Sequence, residues 1–288
     1  MNRSFLFVPG DDGRKMEKAG DAGADAVILD LEDSVAAERK SAARELVGDF
    51  LRGRDDAWVR ISPIDDEGAT ADLAAIMPSA PAGIVLPKAR SASDTLLLAQ
   101  ALDALEREHG IDAGSTRILP LCTERPAALF TLGSYAAATP RLYGLSWGAE
   151  DLAAAVGASE RRGEDGAWLP PYELARSLCL FAAAAAGVVA VDTVYTDYRD
   201  TRGLAQYAAR ARRDGFSGML AIHPGQIDVI NRAFVPTEAE LERAERIAAL
   251  FAQHPAAGAL GLDGEMVDRP HLEQARRILE LAKRLAAE

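Results

Sequence analysis

Cysteine and histidine are scarce in this 288-residue chain, which carries two of the first, Cys122 and Cys179, and four of the second. The cysteines stand far apart with no CxxC or Cys/His spacing, which argues against a disulfide framework or a zinc site and reads as buried free thiols in a reducing compartment. Positive charge is also short. Lys and Arg number 32 against 44 Asp and Glu, a net charge of -12, and nucleic acid phosphates need a basic face instead. No stretch approaches the ~20 apolar residues of a membrane span. The apolar run in the opening MNRSFLFVPGDD is too short for a signal peptide. Neither GxGxxG nor GxxxxGKS/T follows any apolar run, so phosphate binding of those kinds has no signal. These absences predict a cytoplasmic protein with neither a membrane nor a nucleic acid partner.

What is present is ordinary globular composition, 49% hydrophobic and 26% charged, in a chain long enough for one α/β barrel of ~250 residues. The most informative stretch is VILDLEDS, Val27 to Ser34, where an apolar β-type run stops in three carboxylates, Asp30, Glu32 and Asp33. Near-continuous Val, Ile and Leu suit a strand covered on both faces, as in a parallel sheet. The pattern recurs. Strand-like runs at 4–8, 27–33, 57–62, 83–88, 117–124, 141–147, 188–196 and 218–223 each end on something polar. Helical periodicity fills 14–22, 36–51, 69–77, 93–109, 127–138, 172–187 and 204–214 between them. This alternation predicts a (β/α)8 TIM barrel over 1–235, with an open doubly wound sheet as the competing architecture. Residues 236–288 exceed what a barrel needs. They read as a helix over 238–253, a glycine-rich link over 257–264 and a last helix from about 270, a helical extension that either packs as a side element or acts as a lid reaching a neighbouring subunit.

In a barrel the carboxyl ends of the strands converge on one face, which here collects Asp30, Glu32, Asp33, Arg60, Lys88, Glu124, Asp151, Asp192 and His223. Carboxylates with few histidines suit Mg2+ rather than Zn2+, and Glu124 with Asp151, from adjacent strands, is the plausible pair. Arg60 could hold a carboxylate or an enolate oxygen with its planar fork, or instead tie down Asp33. Lys15, Lys18, Arg39 and Lys40 make a local basic patch, either a solvated helix face or a site for a phosphate-bearing ligand.

The strings RSFLFVPG (from Arg3), DLEDSV (from Asp30), VRI (from Val59), LPK (from Leu86), GAEDLA (from Gly148), AIHPGQI (from Ala221) and DGEMVDRPH (from Asp263) together resemble the citrate lyase β-subunit-like family. That family lies in the aldolase and citrate lyase superfamily with malyl-CoA and citramalyl-CoA lyases, and the likeness covers essentially the whole chain. The resemblance implies a (β/α)8 barrel, a homotrimer or a dimer of trimers, that binds Mg2+ and cleaves or forms a 3-hydroxy-acyl-CoA thioester, with acyl-CoA and a 2-oxo acid as partners. It implies metal ligands at Glu124 and Asp151, a substrate arginine at Arg60, CoA contacts near Phe7, Lys18, Ile222 and Pro224, and an acid/base at Asp268 acting in a neighbouring subunit's site. Departures are Asp12 where many relatives have an arginine, Cys122 and Thr123 before Glu124, and Ser62 after VRI. Two alternatives stay open. One is a citryl-carrier-protein lyase subunit of a multi-subunit citrate lyase. The other is a metal-dependent aldolase on free 2-oxo acids, disfavoured because Asp33 stands where those enzymes carry a histidine.

Overall fold

The structure, a computed structural model, describes residues 2–164 and 166–287. It divides into two compact units, Met1–Asn231 and Arg232–Glu288.

The first unit is built on eight strands: β1 (Ser4–Pro9), β2 (Ala26–Asp30), β3 (Ala57–Arg60), β4 (Gly83–Leu86), β5 (Arg117–Pro120), β6 (Gly144–Ser146), β7 (Val189–Asp192) and β8 (Gly218–Ala221). All pairings are parallel, in the order β5-β4-β3-β2-β1-β8-β7-β6. The ring closes between β5 and β6 through parallel bridges at Ile118–Leu142 and Leu121–Ser146. The barrel predicted from the alternation is therefore present. Every residue of β2 is buried, as its unbroken apolar run requires.

Helices α1 (Gly13–Gly20), α2 (Lys40–Leu51), α3 (Glu67–Ile76) and α4 (Ala92–His109) follow the first four strands, and α5 (Ala149–Val156) and α6 (Pro170–Ala186) follow β6. The last two strands lead into α7 (Thr201–Asp214) and α8 (Ile227–Ala233). Side-chain chemistry sets their ends. Asp12 and Asp200 accept hydrogen bonds from the Lys15 and Gly203 N–H groups at helix starts, and Gly110 and Gly187 end α4 and α6 in the left-handed conformation that lacks a Cβ penalty.

The helix expected over 127–138 forms instead as two 3-10 stretches, Pro126–Phe130 and Leu132–Ala137. The Thr131 hydroxyl donates to the carbonyls of Arg90 and Ala128, and the Ser134 hydroxyl to that of Thr131. Such local hydroxyl bonds compete with the α-helical ladder. Two further helices, α5 after β6 and α8 after β8 and a 3-10 turn at Pro224–Gln226, were not expected from the sequence.

Inside the barrel, Phe5, Ile28, Trp58, Val85, Leu119, Val191 and Leu220 form one apolar cluster. At its amino-terminal end the rings of Phe5, Trp58 and Tyr143 meet edge to face at 5.2 to 5.9 Å and fill the floor. Each such buried aromatic pair adds about 0.5–1.5 kcal/mol beyond the area it removes from water. A packed floor leaves the carboxyl-terminal mouth as the open end.

The second unit contains α9 (Glu238–Gln253), β9 (Ala259–Leu262), β10 (Glu265–Asp268) and α10 (Arg269–Ala287). Ile247, Phe251, Val267 and Leu272 form its apolar centre. The stretch expected as a glycine-rich link is an antiparallel hairpin turning through Asp263 and Gly264, both at positive φ. Asp-Gly is the sequence signature of this two-residue turn, so the signal was present in the chain.

Candidate active site

At the barrel mouth a cavity of about 340 Å³ is walled by Phe7, Arg60, Glu124, Trp147, Asp151 and Ile222, with Asp30 and Asp33 on one side. The chain thus gathers Arg60, Glu124, Asp151, Phe7 and Ile222, five of the residues singled out from the sequence, around one space. Lys18, exposed in the last turn of α1, and Pro224, exposed at the start of the 3-10 turn Pro224–Gln226, do not line it. Asp268 ends β10 in the second unit, where its carboxylate pairs with His271 Nδ1 at 2.5 Å and is held below the usual carboxylate range by that contact.

Strands β2 and β3 are in register with Asp30 opposite Arg60, which places an acid beside a guanidinium at the carboxyl end of both. Arg60 Nε and Nη2 each donate to one Asp30 oxygen at 2.7 Å. Its Nη1 lies 3.0 Å from Glu32, while Asp33 stands off at 3.8 Å, so the fork ties down Asp30 rather than Asp33. Asp30 also accepts from the Glu32 and Ser34 N–H groups. Burial alone would raise its pKa, but the Arg60 hydrogen bonds and charge outweigh burial and hold the carboxyl below its ordinary range. Arg60 in turn lies 4.9 Å over the Phe7 ring. The bidentate grip expected on a substrate is therefore made on Asp30, and Arg60 lines the cavity with only its remaining N–H groups uncommitted to that grip.

At the end of β4, Lys88 takes a left-handed backbone at φ +52°. Its N–H donates to Glu124 at 2.6 Å, and its ammonium contacts Glu32, Asp33 at 3.2 Å and Asp151 at 3.4 Å. Glu32, largely through burial, titrates above its ordinary range despite Arg60 and Lys88.

Glu124 follows the carboxyl end of β5, and Asp151 lies in the first turn of α5, which follows β6. Glu124 is 5% exposed, and burial, with the charge of Asp151 next, pushes its carboxyl up to about 8. The close fit depends on Gly148, where a Cβ would lie 2.6 Å from Glu124 Cγ. Gly148 is also the N-cap of α5 and has no side chain to cap it, so the first N–H groups of this helix lack a side-chain cap where Ala149, Glu150 and Asp151 line the cavity. This uncapped helix start beside the cavity was not anticipated from the sequence, where its signal was Gly-Ala after an apolar run.

Other strand-end residues have structural positions. Asp192 is fully buried, accepts from Trp147 Nε1 at 2.6 Å and Tyr207 at 3.1 Å, and pairs with Arg176 at 2.8 Å, so it is not part of the mouth inventory expected of it. His223 caps the Pro224–Gln226 turn and stacks on Tyr198 at 4.8 Å. The expected basic patch is dispersed: Arg39 binds Asp11 at 2.7 Å and Lys40 binds the Glu32 carbonyl at 2.9 Å. Cys122 and Cys179, remote in sequence, lie 3.7 Å apart as buried free thiols.

Residues 3–224 match the HpcH/HpaI aldolase/citrate lyase family. The chain belongs to that family. As a member of it the protein is a lyase. The citrate lyase subunit beta of Haemophilus influenzae is 35% identical across 98% of this chain and 97% of its own length. The (3S)-malyl-CoA thioesterase of Cereibacter sphaeroides is 36% identical across 99% and 96%. Among solved structures, protein CitE from Mycobacterium tuberculosis in complex with magnesium, acetoacetate and coenzyme A superposes with a TM-score of 0.82 at 36% identity, covering 98% of each chain.

Proposed function

We propose that the protein is a Mg2+-dependent carbon–carbon lyase that cleaves, or forms, a 3-hydroxy-acyl-CoA thioester such as malyl-CoA, citramalyl-CoA or citryl-CoA, with acyl-CoA and a 2-oxo acid as the products. The observation that carries this reading is Glu124, a buried carboxyl raised to about 8 beside the charge of Asp151 in a cavity that also presents Arg60. A carboxyl raised by burial and by the charge of a facing carboxylate fits a hard divalent cation. Among the described residues no three His, Cys, Asp or Glu side chains form a metal cage. A pair of carboxylates suits Mg2+, which keeps positions for water and substrate oxygens. Relatives support the same reading, one crystallised with magnesium, acetoacetate and coenzyme A and another named for malyl-CoA.

Held by Glu124 and Asp151, the ion would supply Lewis-acid polarisation of the 2-oxo acid's oxygens. The open N–H groups at the start of α5 would receive that acid's carboxylate. In cleavage, the 3-hydroxyl gives up its proton, the C2–C3 bond breaks, its electron pair enters the thioester as an enolate, and a proton returned to C2 completes the acyl thioester. Arg60 has N–H groups left to stabilise the enolate oxygen, and its rigid hold on Asp30 fixes where they point. Phe7 and Ile222 offer apolar walls for the thioester arm, and we assign Lys18 and Pro224, which lie outside the cavity, to contacts with the more distant part of CoA. We assign the proton transfers to Asp268 of a neighbouring copy in a homotrimer. Its contact with His271 keeps it ionised and able to act as a base.

The test is turnover of malyl-CoA, citramalyl-CoA, methylmalyl-CoA and citryl-CoA, with Mg2+ and with EDTA, following both 2-oxo acid and free thiol. Release of a 2-oxo acid without free thiol, abolished by EDTA, is expected for one of the four. No turnover of any by folded, metal-replete protein overturns the standalone lyase and redirects the search to carrier-bound thioesters.

A further inference from the structure

Lys88 makes two separable sets of contacts. Its main chain, at φ +52°, aims an N–H at Glu124, while its side chain crosses to Glu32, Asp33 and Asp151. Glycine would adopt this backbone without strain and still supply the N–H. A lysine here therefore gives the side chain a task of its own. Among the described residues no other cation lies within ion-pair range of Asp151. Of the ammonium's contacts, that with Glu32 is the shortest and that with Asp151, at 3.4 Å, the longest.

We propose that the Lys88 ammonium is the resident counter-cation of the metal site, pairing with Asp151 when no metal is bound and withdrawing onto Glu32 and Asp33 when a divalent cation takes its place. The inference rests on the metal reading of Glu124 and Asp151 given above. A tethered positive charge next to a metal ligand opposes the incoming cation, so Lys88 keeps the metal weakly held and exchangeable. Before the metal arrives it spares Asp151 an uncompensated charge beside Glu124. Withdrawal is short because Glu32 and Asp33 already share the ammonium, and it leaves the Glu124 main-chain contact in place.

The experiment is calorimetric titration of Mg2+ into metal-stripped wild-type, Lys88→Met and Lys88→Arg proteins, with melting temperatures recorded with and without the ion. Lys88→Met is expected to bind Mg2+ at least about tenfold more tightly than wild type, because the opposing charge is gone. Lys88→Arg is expected to stay near wild type. Without metal, Lys88→Met should melt lower, and its gain on adding Mg2+ should exceed the wild-type gain, since a ligand stabilises in proportion to its affinity for the folded state. A lysine that only positions Asp151 predicts the opposite, equal or weaker Mg2+ binding in Lys88→Met, and that result overturns the inference while leaving the metal reading intact. Absence of Mg2+ binding to wild type overturns both. Should Lys88→Met not fold, a Mg2+-bound crystal structure of wild type decides: Lys88 Nζ beyond 4 Å from Asp151 and still on Glu32 supports the proposal, and an unchanged Asp151 contact refutes it.

Discussion

Two buried glutamates flank strand β5 and titrate in opposite directions. Below its amino end Glu106, 1% exposed, is pulled down to about 2, and beyond its carboxyl end Glu124, 5% exposed, is pushed up to about 8. Burial is the largest influence on both and raises both. What differs is the replacement for lost water. Glu106 accepts from both Arg141 terminal nitrogens and from the N–H groups of Gly114 and Thr116. Glu124 accepts from one N–H, that of Lys88, and faces a second carboxylate. A fully satisfied charge network holds the closed end of the barrel, and an unsatisfied one waits at the open end. Such a group in a cleft is where a ligand has chemistry to do.

This contrast can be broken from either side, and the largest effect belongs to the mouth. Glu124→Gln should lower turnover of the thioester by about a thousandfold or more, the scale expected when a metal-centred charge-stabilising group is lost. Its melting temperature should hold or rise, because a buried acid whose burial outweighs its counter-charge becomes a neutral amide. Intact turnover would remove Glu124 from the metal site.

Asp268→Asn should cost about 10²–10⁴ in rate as a lost acid/base. Mixing it with Glu124→Gln under conditions that exchange subunits should restore part of the activity, because some mouths then pair an intact Glu124 with an intact Asp268. No recovery from a mixture shown to contain hybrid trimers would tell against the shared site.

At the closed end, Glu106→Ala should cost about 3 kcal/mol in denaturant unfolding by leaving Arg141 buried and under-paired, with Asp103 its remaining carboxylate partner. The rate constant of the folded fraction should be close to wild type. A catalytic defect larger than the stability loss would erase the division between the ends.

The pH dependence of stability in metal-free protein sharpens the same contrast. Glu124 holds a proton in the folded state up to about 8 that the unfolded chain releases near 4.5, so this group's contribution falls as pH rises across that interval. Glu106 has the opposite sign. Its folded value near 2 lies below the unfolded 4.5, so its stabilisation is present above 4.5 and is lost as pH falls towards 2. Urea midpoints from pH 5 to 9 should decline less in Glu124→Gln than in wild type, and Mg2+ should recover wild-type stability at the alkaline end.

Much of this was legible in the chain. Runs such as AVILD and GIVL are short, apolar and bounded by turn residues, and parallel strands covered on both faces need nothing more to be recognised. The acids and bases expected at strand ends arrive there because the carboxyl ends of parallel strands all face one way. Local chemistry that competes with periodicity was harder to read: the hydroxyl bonds of Thr131 and Ser134 turned an apparent helix into 3-10 stretches, and Asp263-Gly264 folded an apparent link into a hairpin.

The sequence by itself determined the alternation, the barrel, and the supply of Arg60, Lys88, Glu124 and Asp151 to one rim, because those depend on periodicity and chain direction. Only the tertiary structure decided how those charges are shared: Arg60 on Asp30 rather than Asp33, Asp192 turned away to Arg176, Lys88 bridging Asp151 to Glu32, and Glu124 with no ion pair among the described residues and its burial only partly offset by the charge of Arg60. Charge pairing falls off steeply with distance and depends on which groups have lost their water, and neither quantity exists until the strands are in register and the ring is closed.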